Sequence, residues 1–379
     1  MIIGIDASRA NEEKKTGVGW YAYHVIQEMK KITPEDIRVV LYTNKSLRGD
    51  LAKLPENWEE KILGWKPGRL WTQFRLSWEM LIHKPDVLFI PAHVFPIIHP
   101  KKTVMTLHDI AAVKFPEAYN WFEKWYTLWS GKFALKNLWK VITISQFTKS
   151  ELKKEFGGLG IEKVVVIHLG YNKEYRKIST KGGPVSGWED DIKKILEKYK
   201  ISKPYLLSIG RLEEKKNTRR IIQAFNKLKL KNEDLKLVLV GGDGYGSERV
   251  REEIDKSLFK NDIIISGWVD NDDLPYLMNG AEVFVFPSLY EGFGIPVLEA
   301  QACETPVVAS VGSSLEEVGG EACVYVDPQN VNEIAEGILK LMSNQEFKES
   351  KVIEGLERVG GFSWEKCAKD TLNVLLDKN

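Results

Sequence analysis

The chain has 379 residues, 43% of them hydrophobic and 28% charged, a balance that excludes a disordered polymer and is ordinary for a soluble globular protein. A length of this order favours two domains over one, because a single core stops growing near ~250 to 300 residues. The net charge of +1 hides an asymmetry: residues 1–172 hold 25 Lys/Arg against 18 Asp/Glu, and the remainder 29 against 35.

In chain order, short β-rich runs alternate with longer amphipathic stretches, the rhythm of parallel strands joined by helices. In the first half the strands are expected at 2–5, 38–42, 86–90, 103–107, 141–144 and 163–167. The second half repeats the pattern at 205–209, 236–240, 262–265, 283–286, 306–308 and 323–326. Residues 173–203, with the Gly/Pro-rich run 181–187 and then a charged stretch, have the composition of a surface connection. Two open parallel sheets joined there would put the carboxyl ends of both strand sets around a crevice, where ligands of such sheets bind.

The start of the chain, MIIGIDASR, reads as a strand rather than an export signal, since no basic region precedes the apolar run. No uninterrupted apolar run reaches the ~18 residues of a membrane span. Cys303, Cys323 and Cys367 lie far apart without a CxxC pair, so neither a disulfide framework nor a zinc site is expected, and a reducing cytoplasm fits.

The most specific segment is residues 286–300, FPSLYEGFGIPVLEA, which reads as strand, loop and helix. Gly292 and Gly294, flanking Phe293, let backbone approach a ligand. A helix starting near Ile295, with Pro296 in its first turn, aims free amides at an anion or at sugar hydroxyls. Glu291 on the loop can accept from sugar hydroxyls, and Glu299, just over one turn into the helix, suits a ribose diol. The same pattern also describes a plain strand-to-helix connection with two solvated glutamates, acids being favoured near helix starts.

With this segment go Thr16-Gly17-Val18-Gly19 opening the first helix, Thr106-Leu107-His108-Asp109 after a strand, Gly210-Arg211 with Lys216-Asn217, and Gly241-Gly242-Asp243-Gly244. In this order and spacing the chain resembles the retaining glycosyltransferases of the GT-B group, GT4 type, which includes bacterial polysaccharide mannosyltransferases and relatives of sucrose-phosphate synthase. The resemblance covers nearly the whole chain. It implies an α/β architecture of two Rossmann-like domains facing each other across a cleft. The acceptor domain would be 1–172, the linker 173–203, the nucleotide-sugar domain 204–361, and a helix at 362–379 would return to the first domain.

The resemblance further implies that Arg211 and Lys216 bind the donor's diphosphate, that Glu299 holds its ribose, and that His108 contacts the donor sugar near the reacting carbon. Gly17 and Gly19 would approach the donor diphosphate or the acceptor, Gly210 would contact the nucleotide sugar, and the backbone at Val269 the nucleobase. Charge development on a departing nucleoside diphosphate makes two fixed cations chemically sensible. Taken alone, Arg211 and Lys216 also read as part of a solvated charge run with Glu213, Glu214 and Lys215, and His108 as a hydrogen-bonded core histidine. Residues 17–22 formally match the dinucleotide fingerprint G-x-G-x-x-A, but about ten residues separate them from the first strand, too many for its tight turn. Asp270-Asn271-Asp272 looks like a metal-binding D-x-D, yet its position before a helical stretch reads as an acidic loop with a helix cap, and no metal is expected.

The expected reaction is hexosyl transfer from a nucleotide sugar, GDP-mannose before a UDP-hexose, to a saccharide or lipid-linked acceptor in polysaccharide synthesis. A nucleotide-sugar epimerase of the same fold and a two-lobed sugar-binding protein remain open. No nucleic-acid partner is expected. Glu304 and Glu316 stand where many relatives carry Gly and Pro, which bears on loop geometry. Nine of the twelve tryptophans lie in the first half, and Trp121, Trp125 and Trp129 recur at helical spacing beside Lys124, Lys132, Lys136 and Lys140. Such a helix, with Trp65, Trp71 and Trp78 near Lys66, Arg69 and Arg75, either seats against an anionic membrane, lines an acceptor groove or packs on the sheet.

Overall fold

The structure, a computed structural model, describes residues 1–66, 70–177 and 188–378. Arg69 and the Gly/Pro-rich run 181–187 lie outside the described residues. The chain divides into two compact units, Met1–Gly170 together with the residues from Phe362 onward, and Tyr171–Gly361.

The first unit is built on seven parallel strands, β1 (Ile2–Asp6), β2 (Arg38–Thr43), β3 (Trp58–Ile62), β4 (Val87–Ile90), β5 (Lys102–Leu107), β6 (Lys140–Thr143) and β7 (Val164–Val166). Their spatial order is β3-β2-β1-β4-β5-β6-β7. Central strands are continuous apolar runs, as sheets covered on both faces require, and Ile3, Ile5, Leu88 and Phe89 have no exposed surface. Strand β3 was not expected. Its sequence, Trp-Glu-Glu-Lys-Ile, is polar because it is the sheet's edge, and only Trp58 is buried. The order of strands reverses between β1 and β4, which opens a crevice at their carboxyl ends.

Helix Gly17–Ile32 buries Tyr21, Ala22, Val25, Ile26 and Met29 along one face, and Lys30 and Lys31 sit in its last turn, where the helix dipole favours cations. Against it packs the last helix, Trp364–Leu375, capped by Ser363 Oγ, which accepts from Lys366 N at 3.1 Å. Trp364 stacks on His24 with ring centroids 4.8 Å apart. The last helix buries Ala368, Leu372, Val374 and Leu375, each large aliphatic side chain contributing about 1.5–3 kcal/mol of transfer free energy.

The second unit carries six parallel strands, β8 (Tyr205–Ile209), β9 (Lys236–Val240), β10 (Ile263–Gly267), β11 (Val283–Phe286), β12 (Val307–Ser310) and β13 (Cys323–Val326), in the order β10-β9-β8-β11-β12-β13. Here the reversal falls between β8 and β11. Helix Thr218–Lys229 buries Ile221, Ile222, Phe225 and Leu228 at helical spacing. Residues 188–198, in the stretch whose composition reads as a connection, form a helix, Trp188–Lys198. Ile192, Ile195 and Leu196 recur there at i, i+3, i+4, with Glu189, Asp190 and Asp191 in the first turn. That helix packs on Leu274–Gly280 and belongs with the second unit.

Candidate active site

In the second unit, the loops leaving β8, β9, β10 and β11 all open at the carboxyl edge of the sheet. Gly210 follows β8 and donates to Val240 O at 2.8 Å, while Gly241 donates to Gly267 O at 2.9 Å, so three strand ends are laced together. Gly241 has φ +140°, and a Cβ there would stand 2.1 Å from Gly210 O, which leaves glycine as the residue that fits. Arg211 follows on an exposed loop, its guanidinium 3.4 Å from the buried Glu213 carboxylate.

Lys216 extends across to the β11 loop, where its Nζ donates to Glu291 Oε1 at 2.6 Å and lies 4.9 Å from the centroid of the Phe286 ring. The backbone beneath is fixed by Asn217, which is buried and left-handed at φ +60°. Its Nδ2 donates to Pro287 O at 2.9 Å and to Pro328 O at 2.6 Å, tying the Lys216 loop to the segments after β11 and β13. Leu289 N donates to Lys215 O at 2.8 Å, a further tie between the same loops.

Glu291, Gly292, Phe293 and Gly294 are buried. Ser314 Oγ lies 2.8 Å from both Glu291 O and Phe293 O, pinning the loop from below. Gly294, at φ +107°, begins helix Ile295–Ala302, and a Cβ there would stand 2.3 Å from Leu315 Cδ2. Glu299 projects from that helix beside Tyr175 and Cys303, and burial pushes its carboxyl up to about 8. Among the described residues it has no hydrogen-bond or ion-pair partner. Val269 is buried just beyond β10, next to Trp268, which is 76% exposed.

The following helix, Leu274–Gly280, has Asp273 rather than a residue of 270–272 at its N-cap, and no side chain caps it. The Asp270 and Asp273 carboxylates both accept from Lys198 Nζ, at 3.0 and 2.6 Å, and Tyr199 OH donates to Asp273 at 2.7 Å. The expected cap gives way because a nearby ammonium offers a charge-assisted bond, the stronger alternative. Among the described residues no three His, Cys, Asp or Glu side chains gather as a metal ion requires.

Gly17, Gly19 and His108 lie in the first unit. Gly17 opens helix Gly17–Ile32 with open space around it, and Gly19 is packed so that a Cβ would stand 3.0 Å from Arg9 O. His108 follows β5 and is buried, its Nε2 donating to Pro91 O at 3.1 Å. A carbonyl only accepts, so Nε2 carries the proton and Nδ1 is bare. The backbone N–H of His108 donates to His93 Nε2 at 3.1 Å, and Tyr21 meets the ring edge-on at 4.7 Å. Burial, with His93 adding to it, lowers the His108 imidazole to about 4, so it is neutral at physiological pH. At the ends of β1, β2 and β4 a cavity of about 700 Å³ is lined by Asp6, Arg9, Lys14, Asn44, Arg48 and Trp71, among others. Asn217, Ser314 and this cavity were given no role on sequence grounds. Their contacts are to backbone carbonyls or come from distant segments, and neither leaves a local pattern.

Two all-parallel sheets, each with its glycine loops at the strand ends, define an α/β protein of paired Rossmann-like units. The model for Glycosyl transferases group 1 matches residues 190–355, and that for Glycosyltransferase Family 4 matches residues 15–175. The chain is 31% identical to the O-antigen chain mannosyltransferase B of Escherichia coli, over 79% of this chain and 76% of that protein. It is 26% identical to the serotype-specific mannosyltransferase WbdA of Escherichia coli over 71% of this chain, which spans 32% of WbdA. Among solved structures, a sucrose-phosphate synthase from Thermosynechococcus elongatus shares the fold at TM-score 0.76 and 18% identity, covering 100% of this chain and 99% of the other. The chain belongs to glycosyltransferase family 4 and is a glycosyltransferase of GT-B fold.

Proposed function

We propose that this enzyme transfers a mannosyl group from GDP-mannose, with retention of anomeric configuration, to a saccharide or lipid-linked saccharide in the synthesis of a surface polysaccharide. The observation that supports a donor site there is the Lys216–Glu291 pair, which ties the loop after β8 to the loop after β11, with Arg211 on the first of these loops and Glu299 on the helix that follows the second. The likeness to the O-antigen mannosyltransferase supports mannose as the sugar.

In this reading Arg211 and Lys216 take up the charge that grows on the departing diphosphate, where fixed cations act more strongly on the transition state than on the ground state. Glu291 orients Lys216 and accepts from sugar hydroxyls, and Glu299 accepts from the ribose diol. Gly210, Gly292, Phe293 and Gly294 offer backbone to the donor, and Val269 backbone to the base. Gly17, Gly19 and His108 serve from the first unit, and the cavity beside Asp6 and Trp71 takes the acceptor. Acceptor attack on the face from which the diphosphate leaves, with that diphosphate accepting the acceptor's proton, keeps the configuration. The two cations supply the charge a metal would otherwise bring.

The test is thermal stabilisation by GDP, UDP, GDP-mannose and UDP-glucose with chelator present. GDP and GDP-mannose are expected to raise the melting temperature more than their uridine counterparts, and both Arg211→Ala and Glu299→Ala to abolish the rise. A preference for UDP would replace the donor, and no shift with any of the four would remove the donor site from this edge.

A further inference from the structure

Helix Trp121–Asn137 is turned inside out. Its buried residues are the small Ser130, Gly131 and Ala134 with Leu135, whereas Trp121, Phe122, Trp125, Leu128 and Trp129 are exposed, Trp121 at 75%. The segment formed by the π-type turn Thr72–Leu76 and helix Ser77–Ile82 does the same. Phe74, Trp78, Leu81 and Ile82 are exposed there, Trp78 at 59%. Both stripes repeat at i, i+4, i+7 and i+8, so each is one continuous helical face rather than scattered exposure. The two segments are joined, since Gln73 Nε2 donates to Tyr126 OH at 3.3 Å. Exposed Ile97 and Ile98 extend the surface, with Ile98 N donating to Ser77 Oγ at 3.3 Å.

The face is held rigid. Trp125 stacks on Trp129 at 5.8 Å, and Trp129 stacks on Phe95, which is buried, at 5.4 Å, so the outer rings are anchored to the core.

Exposed lysines outnumber exposed acids on its two helical segments. The one acid of the long helix, Glu123, is exposed and bonded to Asn120 in a capping box at the helix start, and Lys132 and Lys136 stand exposed further along. The acid of the other segment, Glu79, is buried and bonded to Lys61, Arg75 and His83, leaving Lys84 exposed. An aromatic and aliphatic face rimmed by lysines matches the boundary of an anionic bilayer, where indoles sit at headgroup depth and ammonium groups meet phosphates. A second copy of the chain would bring the same lysines against each other. No helix among the described residues is long and apolar enough to cross a membrane, so the contact is one of lying on the surface.

We infer that this face of the first unit docks on an anionic lipid surface. The inference is independent of the donor reading, because it is measured without donor or acceptor. Full-length protein is sedimented at low salt with vesicles of phosphatidylcholine alone or containing phosphatidylglycerol. Wild type is expected to bind the anionic vesicles preferentially and to be released by salt. Trp78→Ser with Trp125→Ser, and separately Trp121→Ser, are expected to lower the bound-to-free ratio, the double variant by roughly tenfold or more. Lys132→Gln with Lys136→Gln should lose roughly tenfold on anionic vesicles only. All five tryptophan and lysine substitutions sit on exposed side chains, and melting curves check that the fold persists. Failure of wild type to sediment with anionic vesicles overturns the inference, as does equal binding by the variants. So does a concentration-dependent dimer that the tryptophan variants abolish, which would give the face to a second copy.

Discussion

Glu299 is the residue at which the proposed donor binding and stability pull apart. Its carboxyl is held at about 8 by burial, against an ordinary value of 4.5, so the folded second unit prefers it protonated. The unfolded chain releases that proton near 4.5, so the stability it contributes is fully present below 4.5 and is lost as pH rises through about 8. Glu299→Gln is expected to remove this slope, leaving the second unit a few kcal/mol more stable than wild type at pH 8 while weakening donor binding. Denaturant unfolding across that range checks it, and parallel slopes for the two proteins would refute the assignment. In the first unit His24 and His108, both lowered to about 4 by burial, carry the opposite sign. Their contribution is full above 6.5 and disappears as pH falls toward 4. Glu304 marks a local conflict of another kind, since it sits left-handed at φ +58°, where a glycine would be free of strain.

At the scale of elements, the carboxyl edge of the second sheet depends on a staple that sequence patterns do not show. Asn217 combines a left-handed backbone with two bonds to Pro287 and Pro328 carbonyls. Asn217→Ala is expected to cost the second unit about 2–4 kcal/mol, through unsatisfied carbonyls and backbone strain. Asn217→Gly should cost less, because glycine removes the strain. If the staple orients Lys216, both raise the donor KM by more than the melting shift alone explains. The strands themselves were legible, because parallel strands buried on both faces must be apolar runs. The exception is β3, whose edge position lets it be polar. The strand, loop and helix of residues 283–302 were legible too, since Gly294 and Pro296 mark the helix start. What stayed hidden was which side of residues 121–137 faces solvent. That helix is apolar on both sides, aromatic on one and small with Leu135 on the other, and its periodicity therefore points nowhere until Ser130, Gly131 and Ala134 are seen buried.

Over the whole molecule, the first unit is not continuous in the chain. Its sheet and helix Gly17–Ile32 are completed by helix Trp364–Leu375, and a Cβ on Gly170 would stand 2.2 Å from Trp364 N, so the final segment is fitted closely. Ending the chain before Phe362 is expected to expose Tyr21, Val25 and their neighbours. The first unit should then lose most of its cooperative unfolding while the second retains its own transition. Calorimetry of the truncated protein distinguishes this from an independent helix, whose removal would leave both transitions in place.

The same threading governs how the protein is made. A ribosome adding about 5–20 residues each second must finish the 191 residues of Tyr171–Gly361 before it reaches the last helix, an interval of roughly 10–40 s. Through that interval the nascent first unit waits with the apolar face of helix Gly17–Ile32 uncovered. Newly synthesised chains are therefore most in need of chaperone protection after the amino-terminal sheet has emerged and before translation ends.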